Sequence, residues 1–347
     1  MDEFLIEKNQ LGYLDVRFFG TVFGIEALML PYAMKLCGLS NGFILILISA
    51  LANVGIQILN SKTKQEKNIE LGKIITHMVG KLITMQYLIY QLWFYQINYY
   101  YEFDLNSWII PFIWSLVFSV IVLYLTVFQK VKDSVIPHLL TILTAAIIVI
   151  YLVLDMNSLL PKVPSFNDSF VFSTGISEKS GYPFMICIMI FTSHYRFTDI
   201  KQRIKITDTI CLLSAWYFVI GLFGYLSLLD YTPEIILFGA HFGNYKILAF
   251  LSMSLLFICQ FWKLLVYLNF VKKRLPKIKK SQEILISLIF IITLVISQLL
   301  SLKSLVYISY FCFIISNLVI NSITTKRRFG FIFISILLIG IATSSLE

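Results

Sequence analysis

Continuous apolar blocks recur along nearly the whole of this 347-residue sequence. Each block has about the 20 residues that an α-helix needs to cross the hydrocarbon core of a bilayer. The chain is 58% hydrophobic and 14% charged, whereas soluble domains are roughly 45–50% apolar and about 25% charged. These features exclude an ordinary soluble enzyme and predict a polytopic membrane protein.

The apolar blocks define eleven predicted spans, which are numbered in chain order. Their predicted bounds are 18–38, 41–60, 82–103, 107–129, 134–155, 182–200, 207–229, 246–268, 283–301, 304–323 and 329–345. Span 11 is short and meets Ser344 and Ser345, so the sequence leaves open whether it fully crosses. The blocks lack the alternation of a β-barrel strand. We therefore predict an all-α fold in which residues 1–347 form one transmembrane domain.

Lysine and arginine residues gather on one side of the predicted spans, which indicates that the N-terminus is cytosolic. The segments 61–81 and 272–280 carry many of them. Only five lysines fall on the other side: Lys35, Lys162, Lys179, Lys246 and Lys303. This bias accounts for the net charge of +9 without a nucleic-acid partner. We expect the basic segments to contact anionic lipid instead.

Processing and modification signals agree with this topology. The first fifteen residues lack the apolar region of a signal peptide, so we expect span 1 to remain in the mature chain. The predicted non-cytosolic loop 156–181 contains the sequon Asn167-Asp168-Ser169, which makes Asn167 a glycosylation candidate. The five cysteines stand singly, so neither a disulfide framework nor a metal site is expected.

Glu26 lies near the centre of predicted span 1, where an ionisable group costs about 2.5–3.5 kcal/mol on insertion scales. Gly20, Gly24 and Pro31 surround it and disfavour a continuous helix. A broken helix at the midplane frees backbone groups that line a cavity or bind a ligand. We therefore predict that Gly20, Thr21, Gly24 and Glu26 bind substrate. The alternative is a kinked, closely packed helix with a protonated Glu26.

Span 6 changes from apolar to polar at Thr192, Ser193 and His194 while still about two turns from its predicted end. The three side chains place hydrogen-bonding groups at one level of the membrane. Spans 1 and 6 run in opposite directions, and Glu26 and His194 fall at similar depth. We predict that the two residues share one site, with simple packing of the histidine as the alternative.

The two interrupted spans stand five spans apart. Spans 1–5 (about 18–155) and spans 6–10 (about 182–323) therefore fit an inverted repeat, with span 11 (about 329–345) outside it. An odd number of spans in each half reverses the topology of the second half. Paired interruptions at corresponding positions of such halves indicate the substrate site of a secondary transporter.

Spans 3 and 8 supply secondary candidates. Span 3 carries polar and aromatic residues on one helical stripe, on which Tyr95 is a predicted substrate contact. In span 8, Ser252 and Ser254 are candidates for cation binding, with close helix packing as the alternative. Lys263, near the end of the same span, is expected to snorkel to the cytosolic surface.

Three stretches of the sequence resemble the amino acid/auxin permeases, a family of eukaryotic amino acid transporters. GIEALMLPYA at 24–33, followed by Gly38, is similar to the family's first-helix pattern G-x-G-[IV]-L-x-[LI]-P-Y-A…G. FTSH at 191–194 is similar to the sixth-helix segment F-x-C-H. Residues 224–226, together with Ile236 and Leu237, resemble the G-Y-x-x-F-G…I-L ending of span 7.

The resemblance implies the fold of the amino acid-polyamine-organocation superfamily, a five-plus-five inverted repeat with helices 1 and 6 broken. It also implies amino acid transport across a plasma membrane or a vacuolar or lysosomal membrane. In relatives, the backbone around the first-helix glycines holds the substrate's amino and carboxylate groups. Glu26 replaces the second of those glycines here, Gly20 replaces a common Asn, and Ser193 replaces a frequent Cys. These departures leave the substrate and the coupling ion open.

The leading hypothesis is a secondary active transporter that moves an amino acid by alternating access. Glu26 and His194 are candidates for proton coupling, and an ionised Glu26 could instead pair with a cationic substrate. H⁺ and Na⁺ are both open as coupling ions, and no other cofactor is expected. Protein partners are not indicated by the sequence.

The sequence leaves two other classes of function open. The first is an amino acid sensor on the same fold, although the N-terminal arm of about fifteen residues offers little signalling surface. The second is a membrane-embedded acyltransferase with an intramembrane histidine as base, for which no second polar catalytic residue at matching depth is visible. ATP-driven transport is disfavoured because the sequence has no G-x-x-x-x-G-K-[ST].

Overall fold

A computed structural model describes residues 10–11, 14–60, 67–101, 109–128, 135–159, 181–191, 200–228, 232–237, 245–274, 281–319 and 328–343. Within these ranges each of the eleven predicted spans contains a helix. Span 1 has three pieces: Val16–Val22, the 3-10 turn Ile25–Met29, and Leu30–Cys37. Spans 2 to 5 are Leu39–Asn60, Lys67–Tyr101, Ile109–Phe128 and Val135–Leu159, and spans 6 to 8 are Gly181–Ile190, Ile200–Leu228 and Lys246–Arg274. Spans 9 to 11 are Ser281–Leu299, Leu302–Ile314 with the π-helical turn Ile315–Val319, and Arg328–Thr343.

The described helices have the composition of membrane spans. Five are individually long and apolar enough to cross a bilayer: Leu39–Ile56, Val135–Asp155, Thr207–Leu228, Lys246–Asn269 and Leu302–Val319. The two halves of span 1 also pass this test together, as a pair bent by 52°. The only strands among the described residues form a two-residue antiparallel pair, Gln10–Leu11 with Leu14–Asp15. The chain is an all-α, multi-pass integral membrane protein.

The helix contacts repeat when each span number is shifted by five. Span 3 contacts span 10, and the equivalent spans 8 and 5 contact each other. Span 1 contacts span 7, and the equivalent spans 6 and 2 also contact each other. The contact of span 1 with span 5 likewise corresponds to that of span 6 with span 10. Equivalent spans of the two halves, 1 and 6, also touch each other. This is the pattern expected of two structurally equivalent five-span halves.

Two clusters of buried apolar side chains form the core. The larger cluster includes most of spans 1 and 6 with parts of spans 2, 3, 5, 7, 8, 10 and 11. The smaller cluster joins residues 78–89 of span 3 and 264–271 of span 8 to spans 4 and 9. Span 1 contacts spans 3 and 8 next to residues 78–89 and 264–271. Apolar side chains on the outer faces of spans 4 and 9, such as Val120 and Leu288, are exposed, as is expected where a helix faces lipid.

Two glycines of span 7 allow the second half of span 1 to approach closely. A Cβ atom at Gly224 would overlap the ring of Pro31, and one at Gly221 would lie 2.5 Å from the methyl carbon of Met34. Small residues at a helix contact have this effect in membranes because they let backbones come together. Two of the stretches that carry the family resemblance, 24–33 and 224–226, are therefore packed against each other.

Candidate functional site

The helix of span 1 is interrupted at Phe23 and Gly24. In a continuous helix the Ala27 N–H would donate to the Phe23 carbonyl. Here it donates to the Gly24 carbonyl instead, at 3.1 Å, because Gly24 has an extended backbone with φ −135° and ψ 178°. Pro31 then stands in the first turn of the resumed helix, where its missing N–H costs no hydrogen bond. The break therefore frees the carbonyl of Phe23.

The ammonium group of Lys263 donates a hydrogen bond to this freed Phe23 carbonyl. Lys263 is only 8% exposed, so the prediction that it snorkels to the cytosolic surface is wrong. The physical reason is the break itself, because an unpaired carbonyl buried between helices needs a donor. Span 8 also continues to Arg274, so Lys263 lies about three turns before its end.

Glu26 forms an ion pair with Lys81 of span 3, with 3.3 Å between Oε1 and Nζ. The side chains are 5% and 15% exposed, respectively. The sequence prediction placed Lys81 in a cytosolic segment that precedes span 3 at residue 82. The helix instead begins at Lys67, so Lys81 lies within it. A buried carboxylate requires such a partner, which offsets part of the cost of removing its charge from water.

Gly24 is required by the position of Glu26. A Cβ atom at residue 24 would overlap the Glu26 carboxylate, which folds back over the break. The glycine thus provides space for the carboxylate beside the freed backbone.

Lys81 is positioned by close packing of span 3 against span 10. The Ser309 hydroxyl donates to the Gly80 carbonyl at 2.6 Å. A Cβ atom at Gly80 would lie 2.6 Å from the Cβ of Cys312, so only glycine allows this contact. The close approach fixes the segment of span 3 from which Lys81 reaches Glu26.

Two small cavities meet at the Glu26–Lys81 ion pair, and both residues line each of them. The other residues of the first cavity come from spans 1, 3, 5 and 8: Thr21, Gly24, Met85, His138, Gln260, Trp262, Lys263, Val266 and Tyr267. The other residues of the second come from spans 3, 6 and 10: His77, Gly80, Thr84, Met189, Ser309 and Phe313. The ion pair therefore lines both cavities.

Gly20 and Thr21 lie in the first half of span 1, one turn before the break. A Cβ atom at Gly20 would lie 2.5 Å from Nδ1 of His138, so this glycine accommodates span 5. Thr21 lines the first cavity, and its hydroxyl contacts the carbonyls of Arg17 and Phe18 at 3.0 and 2.9 Å. Substrate binding by these two residues stays a prediction.

Tyr217 of span 7 connects the break of span 1 to the end of the described helix of span 6. Its ring stacks on Phe23 at 6.0 Å and meets the edge of Phe191 at 5.1 Å. Its hydroxyl donates to the carbonyl of Ile190, the last residue of that helix, at 3.0 Å. Phe23 and Phe191 therefore lie at the same level of the bundle.

Several predicted site residues cannot be placed as side chains. Thr192, Ser193, His194 and the glycosylation candidate Asn167 lie outside the described residues. Tyr95 lies on the helix of span 3, but its side chain is outside the described part.

The cation candidates Ser252 and Ser254 are described, but they lie 11 and 9 residues before Lys263 on span 8, roughly 16 and 14 Å along the helix. The Ser252 hydroxyl donates to the Leu248 carbonyl at 2.8 Å. The residue of span 8 that reaches the break is thus Lys263. Within the described ranges no group of three or more His, Cys, Asp or Glu side chains could hold a metal ion.

The fold is similar to that of a solved transporter. The crystal structure of MhsT in complex with L-phenylalanine matches over 97% of this chain and 97% of MhsT, with a TM-score of 0.55 and 13% sequence identity. At this identity the likeness shows the fold, which is that of a polytopic transporter, as the sequence predicts. No protein-family model matches the chain, and no curated protein matches it in sequence.

Proposed function

We propose that the protein is a secondary active transporter that moves an amino acid across a membrane by alternating access. The observation that carries the proposal is the charged site at the break of span 1. A freed backbone carbonyl, a carboxylate and two ammonium groups converge there inside an apolar bundle. Placing charged groups inside a membrane protein costs free energy, and such groups are found where a substrate or an ion passes.

This set of groups suits a zwitterionic amino acid. The substrate's ammonium group complements Glu26, and its carboxylate complements Lys81. In the described conformation these two residues pair with each other at 3.3 Å. Insertion of a zwitterion between them would exchange one ion pair for two, so that no charge is left uncompensated in the membrane. The L-phenylalanine complex of the similarly folded MhsT supports an amino acid as the substrate class.

The position of the ion pair also suits alternating access. It links span 1 to span 3, and it lines two cavities. Movement of span 1 against span 3, of the kind that inverted-repeat transporters perform, would break the ion pair and change access to the site. Tyr217 holds the break of span 1 and the end of the span 6 helix together during that movement.

We also propose a family, a membrane and a contribution from span 6. The motifs at 24–33, 191–194 and 224–226 support membership of the amino acid/auxin permeases, with a cytosolic N-terminus and a plasma or vacuolar/lysosomal membrane as the location. Thr192, Ser193 and His194, which follow Phe191, are the proposed span 6 contribution to the substrate site.

Flux measurements test the proposal. Purified protein in proteoliposomes should take up at least one of the twenty radiolabelled amino acids above the level of empty liposomes. The screen should be run with and without gradients of pH and Na⁺. Substrate-dependent stabilisation of the protein without flux for any amino acid would contradict transport and favour a sensor on the same fold.

A further inference from the structure

The first cavity has an excess of positive charge among the described residues that line it. With ionised side chains and a neutral histidine, Glu26 contributes one negative charge, and Lys81 and Lys263 contribute one positive charge each. The α-ammonium and α-carboxylate groups of an amino acid together add no net charge. Binding through these two groups alone would therefore leave one positive charge uncompensated inside the bundle, which costs free energy.

The charge that remains is that of Lys263. Lys81 pairs with Glu26 at 3.3 Å, and in the proposed complex it pairs with the substrate's α-carboxylate. Lys263 instead donates to the carbonyl of Phe23, which is a neutral group. An ammonium group has three N–H donors, so this bond leaves two of them for other acceptors. Lys263 therefore offers both charge and hydrogen-bond donors to a second carboxylate.

Two other side chains of span 8 add donors to the same cavity. Gln260 is 1% exposed and Trp262 is partly buried. The amide nitrogen of Gln260 and the indole nitrogen of Trp262 are buried and have no hydrogen-bond partner among the described residues. Gln260 stands three residues before Lys263, so the two share one face of the helix. A carboxylate only accepts hydrogen bonds and would satisfy such donors, which are costly to leave unpaired.

We infer that the substrate is an amino acid with a carboxylate side chain, and that Lys263 and Gln260 bind this side chain in the first cavity. The inference rests on the proposed function, in which Glu26 and Lys81 bind the α-groups. The complex with L-glutamate or L-aspartate then has no net charge. A neutral side chain would leave Lys263 uncompensated, and a cationic side chain would add a further positive charge beside it. Charge balance thus favours acidic substrates over neutral ones, and neutral ones over cationic ones.

Thermal stabilisation of the detergent-purified protein tests this substrate class without requiring transport. A ligand that binds the folded state raises the melting temperature. L-glutamate or L-aspartate should stabilise the wild type at a concentration at least about tenfold below that of its amide, L-glutamine or L-asparagine, because loss of one partner of a buried charge pair weakens binding by that factor or more. L-lysine and L-arginine should stabilise it no better than the amides do.

Two substitutions in span 8 should remove the preference by different routes. Lys263→Gln keeps a donor for the Phe23 carbonyl but removes the charge. Gln260→Glu supplies from the chain the negative charge that the substrate's side chain would bring. Each should lower the preference for glutamate over glutamine by at least about tenfold. Lys272→Gln is the matched control and should keep the wild-type preference, because this lysine is on the same helix but pairs with Glu283 at the surface.

The outcomes separate the substrate class from the proposed function. Equal stabilisation of the wild type by glutamate and glutamine would overturn the inference, as would a folded Lys263→Gln that keeps the wild-type preference. Uptake of neutral or cationic amino acids without uptake of acidic ones would also overturn it, while the proposed function would stand. Selective stabilisation by an acidic amino acid without flux of any amino acid would contradict the proposed function and support the substrate class as the bound ligand.

Discussion

Substitutions of Glu26 and Lys81, which form a buried ion pair, should have strongly non-additive effects on the free energy of unfolding. Lys81→Met keeps most of the side-chain stem but removes the ammonium group that lies 3.3 Å from the carboxylate. Loss of one partner of a buried pair costs about 3–5 kcal/mol, because the other charge is left without compensation. Lys81 is 15% exposed and Lys263 is close to the same cluster, so we expect about 3 kcal/mol, the lower end of that range.

The double variant distinguishes charge compensation from simple packing. Glu26→Gln should also destabilise the protein, since it leaves Lys81 buried without its carboxylate. The double variant should lose much less than the sum of the two single losses, which gives a coupling energy of about 2–3 kcal/mol. Unfolding in a fixed detergent, followed by tryptophan fluorescence, is the assay.

The surface ion pair of Lys272 with Glu283 is the matched control cycle. Its atoms are closer, at 2.8 Å, but its side chains are 24% and 40% exposed. An exposed pair is worth about 0–1 kcal/mol, so its coupling energy should be small despite the shorter distance. Additive losses for Glu26 and Lys81, or equal coupling in both cycles, would refute the argument that burial makes the pair strong.

Four further predictions follow from the site and the topology. Gly24→Val should abolish uptake while the protein stays in the membrane, because the added Cβ overlaps the Glu26 carboxylate. Gly72→Val is the control and should transport normally, because a Cβ at this position meets nothing within 4 Å. Equal uptake by the two variants would contradict the role of Gly24. Tyr217→Phe should cost about 0.5–1.5 kcal/mol of unfolding free energy through loss of its hydrogen bond to Ile190, and an unchanged stability would count against that bond. Glu26→Gln should lose exchange of zwitterionic substrates, because it removes the carboxylate that is proposed to pair with the substrate's ammonium group; unchanged exchange, pH dependence and substrate profile would make Glu26 a packing residue. Single cysteines at positions 165 and 275 should react with an impermeant reagent in intact cells that display the protein at their surface only at 165, and the reverse result would refute the predicted orientation.

Much of the fold could be predicted because membrane spans follow directly from length and hydropathy. All eleven spans contain helices in the described residues, and the break in span 1 falls at Gly24, between Gly20 and Pro31 as the sequence indicates. The predicted start of span 3, residue 82, is wrong by fifteen residues, because the helix begins at Lys67. A basic stretch such as 67–81 reads as a cytosolic loop by charge alone, and only tertiary packing shows that it continues the helix.

The site was predicted only in part, because sequence reasoning found the acid but not its partners. Glu26 was an evident intramembrane charge, yet the pairing of Lys81 and the contact of Lys263 depend on which helices pack against the break. A signal was present for Lys263, since it lies within an apolar block and an intramembrane charge is a functional candidate by default. Tyr217 gave no such signal, because a tyrosine in a membrane helix is common and its hydrogen bond to Ile190 depends on where span 6 ends.

Counterflow in proteoliposomes tests the central claim, that substrate moves through the broken site of span 1, most directly. Vesicles loaded with an excess of an unlabelled substrate should transiently accumulate the same labelled amino acid above its external concentration, without any ion gradient. Vesicles with the same amount of Gly24→Val protein should show no such accumulation, and vesicles with Gly72→Val should accumulate as much as the wild type. Specific binding of an amino acid by the wild type without counterflow, or counterflow that Gly24→Val leaves intact, would contradict the account.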